Sequence, residues 1–238
     1  MPRSRVLTDK ATMLASLLRT LFRIRDRLPS PPARQPRRLH LGCGRDIREG
    51  WINLDSRPLP GVNVVADLDD CRKTPLSFPD NSIDEFLGSH VLEHLRDPLA
   101  FMQELHRVAS DGAKLIFRVP YGSSDDADAD PTHVRSYFQS SFQFFAQLAY
   151  TRADYGYRGD WKTESIELTI AAARYKGKSD EQLFEEIRSQ RNVVLEMIAI
   201  LRAVKPARTP GGDQVDSFPV IVSPVPDMEG STRMAQPA

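Results

Sequence analysis

Between Leu39 and Asp55 the chain reads LHLGCGRDIREGWINLD. A short apolar run enters a turn through Gly42 and Gly44, and a second apolar run ends at a carboxylate. Glycines allow backbone to approach a ligand closely, and a strand-end carboxylate can accept hydrogen bonds from ribose hydroxyls. This order therefore suits a nucleoside-bearing cofactor. Two further runs repeat the pattern: residues 62–68 end in Asp67-Leu68, and residues 82–89 stop just before His90. Ligands of a parallel α/β sheet collect at the carboxyl ends of its strands, so Gly42, Asp55, Asp67 and Ser89 are expected to line one cleft. In isolation the glycine pair would only permit a turn, and it lacks the full dinucleotide fingerprint.

A second reactive group lies in residues 121–138, YGSSDDADADPTHVRSYF. Tyr121 opens this segment, and Asp130, His133 and Arg135 are its priority residues for an acceptor molecule. Neutral imidazole can accept a proton, which makes His133 a general-base candidate; Asp130 can orient it or bind a cationic group, and Arg135 can hold a carboxylate or phosphate. The same residues can instead cap a helix, bond across the loop or pair with acids. Asp125, Asp126 and Asp128 either attract an amine or are simply solvated. In HVLEH, His90 and His94 share a helix face with Glu93 between them, but the spacing is not HExxH and specifies no third ligand, so no metal is expected. Arg118 either binds substrate charge or joins a salt bridge, and Trp51 and Trp161 either pack or form platforms.

The elements that must position these groups follow from periodicity. Residues 38–41, 51–54, 62–66 and 83–88 read as core strands, and residues 97–108 as a helix with Leu99, Met102, Leu105 and Val108 on one face. Asp97 followed by Pro98 suits that helix start. Gly112 is expected to interrupt it before a buried strand at 113–119. Residues 166–173 and 193–204 read as a final strand pair around a helix at 180–191.

The ordered series LHLGCG, WINLD, DL, FPDNSID, HVLEHLRDP and DPTHVRSYF resembles the class I S-adenosylmethionine-dependent methyltransferases, particularly their small-molecule branch, over residues 38–206. The resemblance implies a Rossmann-like α/β fold with a seven-stranded mixed sheet flanked by helices, and S-adenosyl-L-methionine as cofactor. It puts Gly42, Cys43 and Gly44 along the methionine portion, Asp55 at the ribose, Asp67 and Leu68 at adenine, and Ser89 and His90 near the methyl-transfer region. The implied reaction is methyl transfer to an oxygen or nitrogen of a small metabolite, with specialised biosynthesis as its setting. A non-catalytic cofactor-binding partner protein and an NAD-dependent oxidoreductase are the alternatives, the latter disfavoured by the missing glycine pattern. An RNA methyltransferase is a smaller alternative.

Composition frames these readings. The 238 residues carry 32 basic and 32 acidic side chains, but residues 1–38 hold ten of the former and two of the latter, leaving the remainder acidic. No large nucleic-acid interface is therefore expected. Residues 10–28 form an apolar stripe fringed by Arg19, Arg23, Arg25 and Arg27, read as a helix that covers the site or joins a homodimer. Residues 1–37 are thus a basic helix and Pro-rich linker, 38–206 the catalytic domain, and 207–238 a mobile or partner-ordered tail. Two cysteines and the absence of a long apolar span favour a reducing, cytoplasmic setting without a transmembrane segment.

Overall fold

The computed structural model describes residues 35–150, 155–210 and 216–226. The basic helix expected at 10–28 and the linker after it lie outside the described residues. Among the described residues no helix is long and apolar enough to cross a membrane.

Among the described residues eight strands form one sheet: β1 (Arg38–Leu41), β2 (Ile52–Asp55), β3 (Val64–Val65), β4 (Ile83–Ser89), β5 (Ala109–Pro120), β6 (Trp161–Ala171), β7 (Val194–Ala203) and β8 (Val220–Val225). Their order is β3-β2-β1-β4-β5-β7-β6-β8. The first five run parallel, and β7 pairs antiparallel with both β5 and β6. Leu39, His40 and Leu41 are all buried, as expected of a central strand covered on both faces. Because β1 lies between β2 and β4, the turns that leave all three strands open at the same sheet edge.

Helix α1 (Pro98–Val108) begins where the sequence indicates: the Asp97 carboxylate accepts the Ala100 N–H at 3.1 Å, and Pro98 occupies the first turn. Its buried face carries Phe101, Met102, Leu105 and Val108, each contributing about 1.5–3 kcal/mol by leaving water. The helix ends at Val108, ahead of Gly112. That glycine, at φ +72°, sits instead within β5, where pairing with β4 jumps from Ile83↔Ala109 to Glu85↔Lys114. A short helix α2 (Asp125–Ala129) follows β5; α3 (Ala172–Tyr175) and α4 (Asp180–Ser189) link β6 to β7.

The sheet corrects two expectations. It has eight strands rather than seven, and the extra one comes from the segment read as a tail: β8 runs parallel to β6 from Ile166↔Val220 to Ala171↔Val225. Val220 and Val222 pack against the core, which offsets the unfavourable composition around them. The approach to β8 is fixed by Asp160, fully buried, whose carboxylate accepts the Gln147 N–H, the Arg208 N–H and two guanidinium N–H groups of Arg208; Arg208 also pairs with Asp216.

Candidate active site

The turn after β1 is built by two glycines with different duties. Gly42 has φ +57°, and a Cβ there would stand 2.7 Å from Val91 Cγ2, so its lack of a side chain lets the turn pack onto the loop after β4. Gly44 has φ +51° and open space where a Cβ would be. Its N–H donates to Asp55 Oδ2 at 2.8 Å, and the Arg57 N–H donates to Oδ1 at 3.0 Å. Asp55 therefore joins the glycine turn to the end of β2 while keeping lone pairs for a ligand. Cys43 is buried beside it, its N–H donating to Leu54 O at 2.9 Å; burial and then the Asp55 charge push its thiol pKa up.

Asp67 is exposed beyond the end of β3, and its Oδ1 accepts the Asp69 N–H at 2.9 Å. Leu68 differs from expectation: at 6% exposure its side chain belongs to the core and supports the turn instead of offering a face to adenine.

At the end of β4, Ser89 is half-buried and His90 turns the chain at φ +53°, its N–H donating to Arg118 O at 2.9 Å. The imidazole stands between two acids, with Nε2 3.0 Å from Glu196 Oε1 and Nδ1 3.3 Å from Glu93 Oε1. Hydrogen bonding to Glu196, then to Glu93, pushes the His90 pKa up to about 9. Arg118 donates to Glu196 Oε2 at 2.5 Å, which settles its alternatives in favour of the ion pair. Burial works against the Glu196 charge, but His90 and Arg118 together hold its pKa below the usual value. Sequence reasoning missed Glu196. Its signal was an acid inside the apolar run VLEMIAILRA, which needs a partner to be tolerated there.

The segment after β5 is laid across the turn after β4. An isolated bridge joins Tyr121 to Tyr137, and the Gly122 N–H donates to Tyr137 O at 2.7 Å. The Val134 N–H donates to Glu93 O at 2.9 Å, and Arg135 Nη2 donates to Arg96 O at 2.8 Å. Asp130 Oδ1 accepts both the N–H and the hydroxyl of Thr132. His133 is enclosed, its side chain 8% exposed, with Nδ1 3.1 Å from Ala127 O and Nε2 3.9 Å from Asp130 Oδ2. Asp125 and Asp128 pair with Arg191. Beside this segment lies a cavity of about 660 Å³ lined by Tyr121, Gly122, Ser123, Phe138 and Gln139 among others. Trp161 is fully buried and donates to Met102 O, a packing role.

Residues 37–117, which span β1 through most of β5, match the family described as a methyltransferase domain. That stretch carries the signature of a methyltransferase domain. The chain is 28% identical over 109 residues to ajmaline N-methyltransferase of Rauvolfia serpentina, a match covering 37% of this chain and 38% of that protein's length. Among solved structures it is similar to an S-adenosylmethionine-dependent methyltransferase from Archaeoglobus fulgidus, with TM-score 0.50, 19% identity, and 70% and 86% of the two chains covered. It is also similar to one from Mesorhizobium loti, with TM-score 0.45, 16% identity, and 73% and 93% covered.

For this methyltransferase domain the implied cofactor is S-adenosylmethionine, and the residues present fit it. Gly44 leaves its backbone open, and Asp55 keeps acceptor capacity at the neighbouring strand end. Both stand at neighbouring carboxyl ends of parallel strands, where α/β sheets take ligands.

Proposed function

We propose that this chain transfers the methyl group of S-adenosylmethionine to an oxygen or nitrogen of a small molecule. The single observation that carries the reading is the clamp between Gly44 and Asp55, set at adjoining strand ends and facing open space at the glycine. Asp55 holds the ribose, the backbone of Gly42, Cys43 and Gly44 follows the methionine portion, and Asp67 meets the adenine edge. Ser89 and His90 flank the reacting end. The bound sulfonium supplies an already activated methyl group, so the protein's task is to hold a nucleophile in line and exclude water.

The acceptor enters, in this reading, on the side of Tyr121 and Phe138, where the cavity is large enough for a metabolite. His133 is assigned to fixing the acceptor segment rather than to free general-base work, because its ring is enclosed and Nδ1 is committed to Ala127 O. Asp130 and Arg135 hold the same segment through Thr132 and Arg96.

The test is transfer of labelled methyl from S-adenosylmethionine to a panel of small amines, phenols, alcohols and carboxylates. Acceptor-dependent product, lost in Asp55→Ala, is the expected result. Cofactor binding with no transfer to any small molecule, but transfer to RNA or protein, would overturn the acceptor class.

A further inference from the structure

Two loops that leave the sheet at neighbouring strand ends bring Glu93, His94 and His133 together. One donor atom from each lies within 4.8 Å of the other two. HVLEH supplies two of the three groups and the third comes from the acceptor segment, so no local spacing announces the cluster.

The hydrogen bonds around the two imidazoles assign their tautomers. Thr132 donates its only hydroxyl proton to Asp130 Oδ1 at 2.6 Å, so its oxygen, 3.0 Å from His94 Nδ1, must accept an N–H from that nitrogen. The nearby Thr132 carbonyl, 3.3 Å from the same nitrogen, also requires a donor there. In a neutral His94 ring this leaves Nε2 as a bare lone pair. His133 repeats the arrangement: Nδ1 faces Ala127 O at 3.1 Å, and Nε2 is left as the lone pair. That nitrogen lies 4.0 Å from Glu93 Oε1 and 3.9 Å from Asp130 Oδ2, beyond hydrogen-bond reach of either. Glu93 is 1% exposed; the His90 imidazole faces its Oε1 at 3.3 Å, while among the described residues its Oε2 has no hydrogen-bond donor. A buried carboxylate oxygen without a donor is a position that a metal ion can fill.

We propose that Glu93, His94 and His133 bind one zinc-type divalent ion. Two imidazole nitrogens and a carboxylate oxygen suit zinc, and outer acceptors that fix the imidazole tautomers, here Thr132 and Ala127 O, are usual in such sites. Ligand atoms about 2.1 Å from a tetrahedral ion stand about 3.4 Å apart. The clustered donor atoms lie within 4.8 Å of one another, so their separations need shorten by about 1.4 Å at most. Asp130 is placed to flank the remaining position. The ion ties the turn after β4 to the acceptor segment and so fixes one wall of the acceptor side; its binding does not depend on the methyl-transfer reading.

The test uses tag-free, chelator-stripped full chain titrated with zinc chloride by calorimetry, and with cobalt(II) as a spectroscopic substitute. The expected result is one zinc per chain, a higher melting temperature, and tetrahedral cobalt bands in the visible. Removing a ligand in His94→Ala or His133→Ala should weaken binding by more than the roughly 10–100-fold typical of losing an outer partner, and Thr132→Ala should fall in that lower range. Absence of stoichiometric zinc binding by the unaltered chain overturns the proposal, whatever the variants do. So does binding that survives undiminished in a folded His94→Ala/His133→Ala double variant.

Discussion

Asp55→Asn is the substitution that separates the two duties of this carboxylate. In the native site each oxygen accepts one backbone N–H, from Gly44 at 2.8 Å and from Arg57 at 3.0 Å. An asparagine offers one carbonyl oxygen, so its amide NH2 must face one of those donors and leave it unsatisfied. Both donors are only partly buried, so the cost is about 1 kcal/mol, the low end for an unsatisfied group. A domain of this size loses about 2–4 °C per kcal/mol, so the melting temperature should fall by about 2–4 °C. The charge-assisted bond proposed between Asp55 and the ribose, about 1.5–3 kcal/mol, is lost as well. S-adenosylhomocysteine should then bind about 10- to 150-fold more weakly. Thermal unfolding followed by calorimetric titration reads both quantities on one sample. A cooperatively folded Asp55→Asn protein with undiminished affinity would refute the ribose assignment and the clamp argument with it.

Other consequences follow from the same packing. Gly42→Ala should destabilise by about 1–3 kcal/mol through the contact with Val91, with a further about 1–2 kcal/mol for the left-handed backbone, and Val91→Ala should restore part of it in chemical denaturation. Gly44→Ala meets no such contact, so its larger effect should appear in S-adenosylhomocysteine affinity; an unchanged affinity would contradict close approach of the ligand there. Asp160→Asn should cost about 1–3 kcal/mol by weakening the charge-assisted bonds at a fully buried position, while Arg208, about a quarter exposed, keeps Asp216. Burial opposes the Asp160 charge, but Arg208 and the backbone donors outweigh it and lower the pKa. Its contribution is therefore complete above the unfolded carboxylate value of about 4 and lost as pH falls through the lowered native value, a component that acid unfolding of Asp160→Asn should lack. Burial, then Glu104, pushes the Cys71 pKa from 9.0 to about 12. Its stabilising contribution is whole below pH 9.0 and lost as pH rises toward about 12. At pH 8 a thiol reagent should label Cys71 only after unfolding, and rapid labelling of the native chain would contradict its burial.

The glycine turn, its carboxylate and the strand ends around them were legible in the sequence because their signals are local. Gly42, Gly44 and Asp55 sit within one strand-turn-strand unit, and the ends of β1, β2 and β4 are marked by the change from apolar to polar residues. The Asp97-Pro98 start of α1 is equally local, since cap and first turn are adjacent in the chain. Leu68 went astray because a side chain's direction at a turn is set by the core beneath it. The Arg118–Glu196 pair and the approach of His133 to Glu93 depend on which strands become neighbours, a property of long-range pairing. β8 was hidden for a related reason: its six residues gain their strand character from β6 and the core, while proline and serine in the segment suggest a tail when read alone.

The most direct test of the central claim is calorimetric titration of the purified chain with S-adenosylmethionine, S-adenosylhomocysteine and NAD. Binding of the first two at one site per chain, with none for NAD, is the expected result. Selective binding of NAD, or no binding of either sulfur compound by the folded chain, would contradict it.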